Sequence, residues 1–143
     1  MEIVERVARV LGGRAVLRRT VRTWLDLDQL VREGLPKASL QVVARRVVAD
    51  GTSASDFVYS VVPSATFKRR DRLSVEESER TERLARVIAL AETVWGDEEQ
   101  ARAFLNRPHP LLDDETPLSV ARTEIGARRV EQLLSDVEQG LPL

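Results

Sequence analysis

Between residues 84 and 95 the apolar side chains keep to one side of a helix. Leu84, Val87, Ile88, Ala91, Val94 and Trp95 recur at three- and four-residue spacing until Gly96 closes the run. The same spacing returns along nearly the whole chain, and clean apolar–polar alternation is scarce. A chain patterned this way buries helices against helices, so the expected fold class is all-α.

Punctuation divides the pattern. Ile3, Val7, Val10 and Leu11 form a first stripe that Gly12-Gly13 ends. Residues 14–24 fit either a helix or a strand. Asp26 is the expected cap of a short helix carrying Leu27, Leu30 and Val31, with Gly34 as its stop. Pro36 suits the first turn of the next helix, where its missing N–H costs nothing. That helix places Leu40, Val43, Ala44 and Val47 on one face and ends before Gly51. Ser53 to Asp56 is a capping-box-like start for a segment whose core contacts are Phe57 and Val61. Ser74 and Glu77 form a better capping box ahead of the 84–95 stripe. Asp97 can cap a helix carrying Ala101, Phe104 and Leu105. Residues 106–115, with Pro108 and Pro110, read as a loop. Thr116-Pro117 restarts a helix. A last helix from Gly126 to Gln139 carries Val130, Leu133, Leu134 and Val137, with Arg128, Arg129, Glu131 and Asp136 on its exposed side. The apolar Leu141-Pro142-Leu143 cannot continue it.

Charge is divided unequally. Residues 1–72 hold 14 Lys and Arg against 8 Asp and Glu, a net of +6, while residues 73–143 hold 8 against 15, a net of −7. The near-neutral total therefore conceals a basic front, suited to a polyanion, and an acidic back suited to something else. The front ends on Pro63-Ser64-Ala65-Thr66-Phe67-Lys68-Arg69-Arg70, directly after the Ser53–Val62 segment. Helix, tight turn and a second, cation-rich helix is a pattern that fits the major groove of DNA. Ser64 can cap that second helix, and Ser64 and Thr66 stand where phosphates or base edges would be met. A run such as Lys68, Arg69, Arg70 and Arg72 is usually a solvated helix face. Its place on the second helix of a short pair, inside the basic half, favours DNA contact here.

Other chemistries find little footing. The chain has no Cys, which excludes disulfides and thiolate metal sites and suits a reducing compartment. No apolar run approaches the ~20 residues that span a bilayer, and the opening MEIVERVARV does not read as a signal peptide. The expected location is the cytoplasm, away from membranes. The only His, His109, lies between two prolines without a paired Ser or Cys nucleophile. Asp113-Asp114-Glu115 lacks calcium-loop spacing. Leu11-Gly12-Gly13-Arg14 lacks the ending of a phosphate loop. No catalytic residue, metal site or cofactor is expected.

The ordered series of motifs resembles the Xre-type antitoxins of RES–Xre toxin–antitoxin modules, which share the MbcA/ParS/Xre antitoxin C-terminal domain. The series runs from Leu11-Gly12-Gly13 and Arg32-Glu33-Gly34-Leu35-Pro36-Lys37 through Ser64 to Arg70 and Leu73 to Arg80. It continues with Ala89 to Gly96, Thr116-Pro117-Leu118, Thr123-Glu124-Ile125-Gly126, Val130 to Leu134 and Gly140. Two positions depart from it. Phe104-Leu105 stands where the family often has Trp-Leu, and Leu112-Asp113-Asp114-Glu115 where it often has a Gly.

The resemblance implies a homodimer with an Xre-like helix-turn-helix region, residues 1–73, and a helical toxin-binding domain, residues 74–143. It implies an antitoxin that sterically blocks an NAD-degrading RES-domain toxin and represses its own operon by binding operator DNA. DNA contact would fall to Ser64, Thr66, Lys68, Arg69, Arg70 and Arg72. Toxin contact would fall to Arg128, Glu131, Gly140, Leu141, Pro142 and Leu143. The other open reading is a stand-alone dimeric transcriptional regulator without a toxin.

Overall fold

The computed structural model describes residues 1–140. Its α-helices are α1 (Ile3–Val10), α2 (Gly13–Leu17), α3 (Trp24–Glu33), α4 (Lys37–Val47), α5 (Ala54–Val61), α6 (Ser64–Arg69), α7 (Val75–Trp95), α8 (Glu98–Leu105), α9 (Pro117–Val120) and α10 (Glu124–Glu138), with a 3₁₀ turn at Pro110–Leu112. There is no sheet among the described residues, only isolated bridges between Pro36 and Arg72 and between His109 and Glu115. The all-α expectation holds. No helix among the described residues is long and apolar enough to cross a membrane.

The organising element is α7, which packs against α1, α3, α4, α8 and α10. Its start is the capping box that Ser74 and Glu77 promise: the Ser74 hydroxyl accepts from the Glu77 N–H at 3.1 Å, and the Glu77 carboxylate accepts from the Ser74 N–H at 2.7 Å. Gly96 ends it in the left-handed region, φ 71°. Leu84, Ala85, Val87, Ile88, Ala89 and Ala91 are all buried, so the middle of α7 is enclosed on several sides. The small alanines let neighbouring helices approach closely. Two buried hydroxyls on α7 are also satisfied. Ser78 accepts from the Leu35 N–H at 2.8 Å, and Thr81 donates to the Glu77 carbonyl at 2.9 Å.

Several boundaries fall differently from their sequence expectation. Thr23, not Asp26, caps α3. Asp26 sits three residues on, and its carboxylate accepts from the N–H groups of Arg22 (2.9 Å) and Thr23 (3.0 Å), which hold its pKa below the ordinary range. Pro36 occupies the cap position of α4 rather than its first turn. Pro63 does the same for α6, which leaves Ser64 inside the helix without a capping bond. Gly12 does end α1, at φ 113°, but the chain turns at once into α2, so residues 14–17 are helical. The last helix begins at Glu124, where the Thr123 hydroxyl accepts from the Gly126 N–H at 2.9 Å.

The connection between α6 and α7 contains the 73/74 boundary. Leu73 is buried there, and its N–H donates to the Leu35 carbonyl at 2.8 Å. One apolar core takes side chains from both sides of that point, from Val4 and Leu40 to Leu105 and Leu134.

Candidate functional site

The Ser53 hydroxyl accepts from the Asp56 N–H and caps α5, whose Phe57, Val58 and Val61 turn inward. Val62 and Pro63 make the turn, and α6 follows. Its single buried side chain, Phe67, holds it down. The Tyr59 ring meets Phe67 edge-on at 6.1 Å, and the Lys37 ammonium lies 5.1 Å above the Phe67 ring while donating to the Phe67 carbonyl at 3.3 Å. With Phe67 anchored, Ala65, Lys68 and Arg69 face outward.

The expected DNA-contacting side chains divide into groups. Lys68 and Arg69 are exposed and pair with no carboxylate among the described residues; the Lys68 ammonium lies 6.0 Å from the Tyr59 ring. Ser64 and Thr66 are half-buried in the first turns of α6. Arg70 and Arg72 lie just beyond it, exposed but each bonded to another part of the chain. The Arg70 guanidinium is 2.9 Å from the Glu77 carboxylate, which is itself buried, and Arg72 donates to the Gly34 carbonyl at 2.8 Å.

Two arginines that sequence reading missed stand beside the same helix pair. Arg80 on α7 donates to the Val61 carbonyl at 2.9 Å. Arg122, between α9 and α10, donates to the Ser60 hydroxyl at 3.1 Å and lies 4.9 Å from the Phe57 ring. Burial pushes the Arg122 pKa down. Arg83 fixes this connection from below by donating to the Arg122 carbonyl at 3.2 Å. Nothing in the local pattern marks these residues, because they reach α5 across 19 and 62 positions of sequence.

On the acidic back, α10 presents Arg128 and Ile125 to solvent, Ile125 at 67% exposure. Arg128 is 3.8 Å from Glu124 and Arg129 is 3.3 Å from Asp113. Glu131 is half-buried, 2.9 Å from the Arg86 Nε, within ion-pair distance but not aligned for a hydrogen bond. The network continues through Arg83 and Glu124 at 3.0 Å and Glu82 and Arg86 at 3.7 Å. Glu124 is held below the ordinary carboxylate range, chiefly by the Arg83 hydrogen bond, with Arg86 adding to it. Glu82 is pushed up by burial, against the pull of Arg86. Gly140 is exposed after the last helical turn, at φ 74°, and Leu141, Pro142 and Leu143 lie outside the described residues.

The remaining candidates are structural. The His109 Nδ1 accepts from the Leu111 N–H at 3.1 Å and so caps the 3₁₀ turn. Asp113 and Asp114 take φ of 57° and 62°, the left-handed turn that a Gly would make freely and that Asp tolerates. No grouping of His, Cys, Asp and Glu among the described residues could hold a metal ion.

Two family models match the chain in succession. The antitoxin Xre-like helix-turn-helix domain matches residues 26–86, and the antitoxin Xre/MbcA/ParS C-terminal toxin-binding domain matches residues 90–140. The first spans α3 to α6 and runs past 73 into α7. The second spans α8 to α10. Among curated proteins, the chain is similar to a protein named antitoxin Xre from Pseudomonas putida, 32% identical over 87 residues, covering 58% of this chain and 55% of that protein. It is also similar to a protein of the same name from Yersinia enterocolitica, 34% identical over 85 residues, covering 56% of this chain and 57% of that one. The chain thus spans about half the length of the curated relatives it matches.

Proposed function

The chain belongs to the Xre/MbcA/ParS antitoxin family, and from that premise we propose that it acts as the antitoxin of a type II toxin–antitoxin pair. The observation that carries this reading is the order of two matched regions along one chain: a helix-turn-helix domain, then a toxin-binding domain joined to it through α7. The partner is a cognate RES-domain toxin that degrades NAD, and neutralisation is steric. The toxin meets the α10 face, through Arg128, Glu131 and Gly140, together with Leu141, Pro142 and Leu143.

The helix-turn-helix binds the operator of its own operon and represses it, with α6 in the major groove and Ser64, Thr66, Lys68 and Arg69 foremost. Arg70 and Arg72 add positive charge beside it. The free cations Lys68 and Arg69 support this assignment. The protein works in the cytoplasm as a homodimer, for which the exposed Trp24, Leu25 and Val75 offer apolar surface. Residues 1–73 serve DNA and residues 74–143 serve the toxin.

Co-expression with a RES-domain toxin tests the reading. The expected result is a complex that survives size exclusion and spares NAD⁺. Absence of a complex would leave a stand-alone regulator as the better account.

A further inference from the structure

Arg80 and Arg122 approach the same end of α5 from different parts of the chain. With Ser60, Val61 and Leu84 they line an open concavity of about 270 Å³ next to the Val62-Pro63 turn that leads into α6. Among the described residues neither guanidinium has a carboxylate partner, whereas Arg83 and Arg86, farther along α7, are both paired with Glu124. Arg122 is the more telling. It is half-buried, stacked on Phe57 and bonded to a neutral hydroxyl, so its charge is partly desolvated without a compensating anion. Each arginine has five N–H donors and only one bond to the rim of the concavity is seen. The remaining donors are available to an acceptor placed between them.

We propose that this concavity is a phosphate clamp: Arg80 and Arg122 hold one backbone phosphodiester of the duplex that α6 reads, while the Ser60 hydroxyl, which donates to the Phe57 carbonyl at 2.6 Å, accepts from Arg122 and orients it. The inference rests on the DNA-binding reading and deepens it. The phosphodiester supplies the charge that the site lacks, and guanidinium forks match its paired oxygens. The contact fixes register and carries no sequence information. Arg122 lies within the region matched by the toxin-binding domain, so that region also contributes to holding DNA.

The test titrates the full chain with a short labelled duplex over a range of salt concentrations. Wild type is compared with Arg80→Gln, Arg122→Gln, Arg122→Lys and, on α6, Lys68→Gln, each with its circular dichroism and melting curve. A lost phosphate contact flattens the log–log salt slope by about 0.9, whereas a purely structural defect lowers affinity at an unchanged slope. The expected result is a flatter slope for Arg80→Gln and Arg122→Gln and a retained slope for Arg122→Lys. If Lys68→Gln flattens the slope while both pocket variants keep the wild-type slope and affinity, the DNA reading stands and the clamp is overturned. The clamp is equally overturned if the pocket variants lose only the toxin complex, since the concavity then takes an acidic side chain of that partner. A wild-type chain that binds no duplex removes both.

Discussion

Arg69 and Arg70 are adjacent and chemically identical, yet their surroundings give them different work. Arg69 faces solvent, while the Arg70 guanidinium lies 2.9 Å from the buried Glu77 carboxylate that caps α7. Arg69→Ala is expected to weaken duplex binding and to change stability by less than about 0.5 kcal/mol. Arg70→Ala is expected to lose about 1 kcal/mol of stability, because the pair is half-open to solvent. Urea melts of the two variants measure the difference, and coincident curves would refute it. Glu124 and Glu82 differ in a similar way. Glu124 has a lowered pKa, so it contributes stability above the ordinary glutamate range that is lost as pH falls through its folded value. Glu82 has a raised pKa, so its contribution is fully present at low pH and is lost as pH rises through its folded value. Glu124→Gln should therefore flatten the acid limb of the melting temperature against pH, and Glu82→Gln should leave neutral-pH stability unchanged or higher. An unaltered acid limb in Glu124→Gln would contradict the assignment.

At the scale of elements, the junction of α9 and α10 is a tight joint. A Cβ on Gly126 would sit 1.7 Å from the Val120 carbonyl oxygen, so the first turn of α10 is pressed directly onto the end of α9. Gly126→Ala is expected to cost about 3 kcal/mol or to displace α10, read as a drop in melting temperature; a melt within error of wild type would show that the joint yields. Helix existence was legible in sequence because apolar spacing and cap residues are local: Ser74 with Glu77, Asp97, Thr116-Pro117 and the Gly96 stop all act as their types suggest. Cap positions one to three residues away were less legible. Thr23 and Asp26 are both competent caps, and the outcome turns on which one's backbone is extended. Thr23 is, at φ −127° and ψ 162°.

At the scale of the molecule, α7 ties the helix-turn-helix to the C-terminal helices within one core. Deleting Gly140–Leu143 removes residues beyond the last buried position of α10, so the truncated chain is expected to melt as wild type does. In an NAD⁺ assay with toxin, the same truncation is expected to protect less well. Full protection would place the toxin contact elsewhere, on α10 itself.

The linear sequence determined the class of fold, the order of the helices, most of their caps and the cation-rich helix after Pro63, because each follows from side-chain type and short-range spacing. Only the tertiary structure decided which cations remain free. Arg70 and Arg72 find Glu77 and Gly34, while Arg80 and Arg122 meet at α5 without a carboxylate between them. Charge in sequence is a count, whereas the field at a surface depends on which opposite charges the fold brings within a few ångströms.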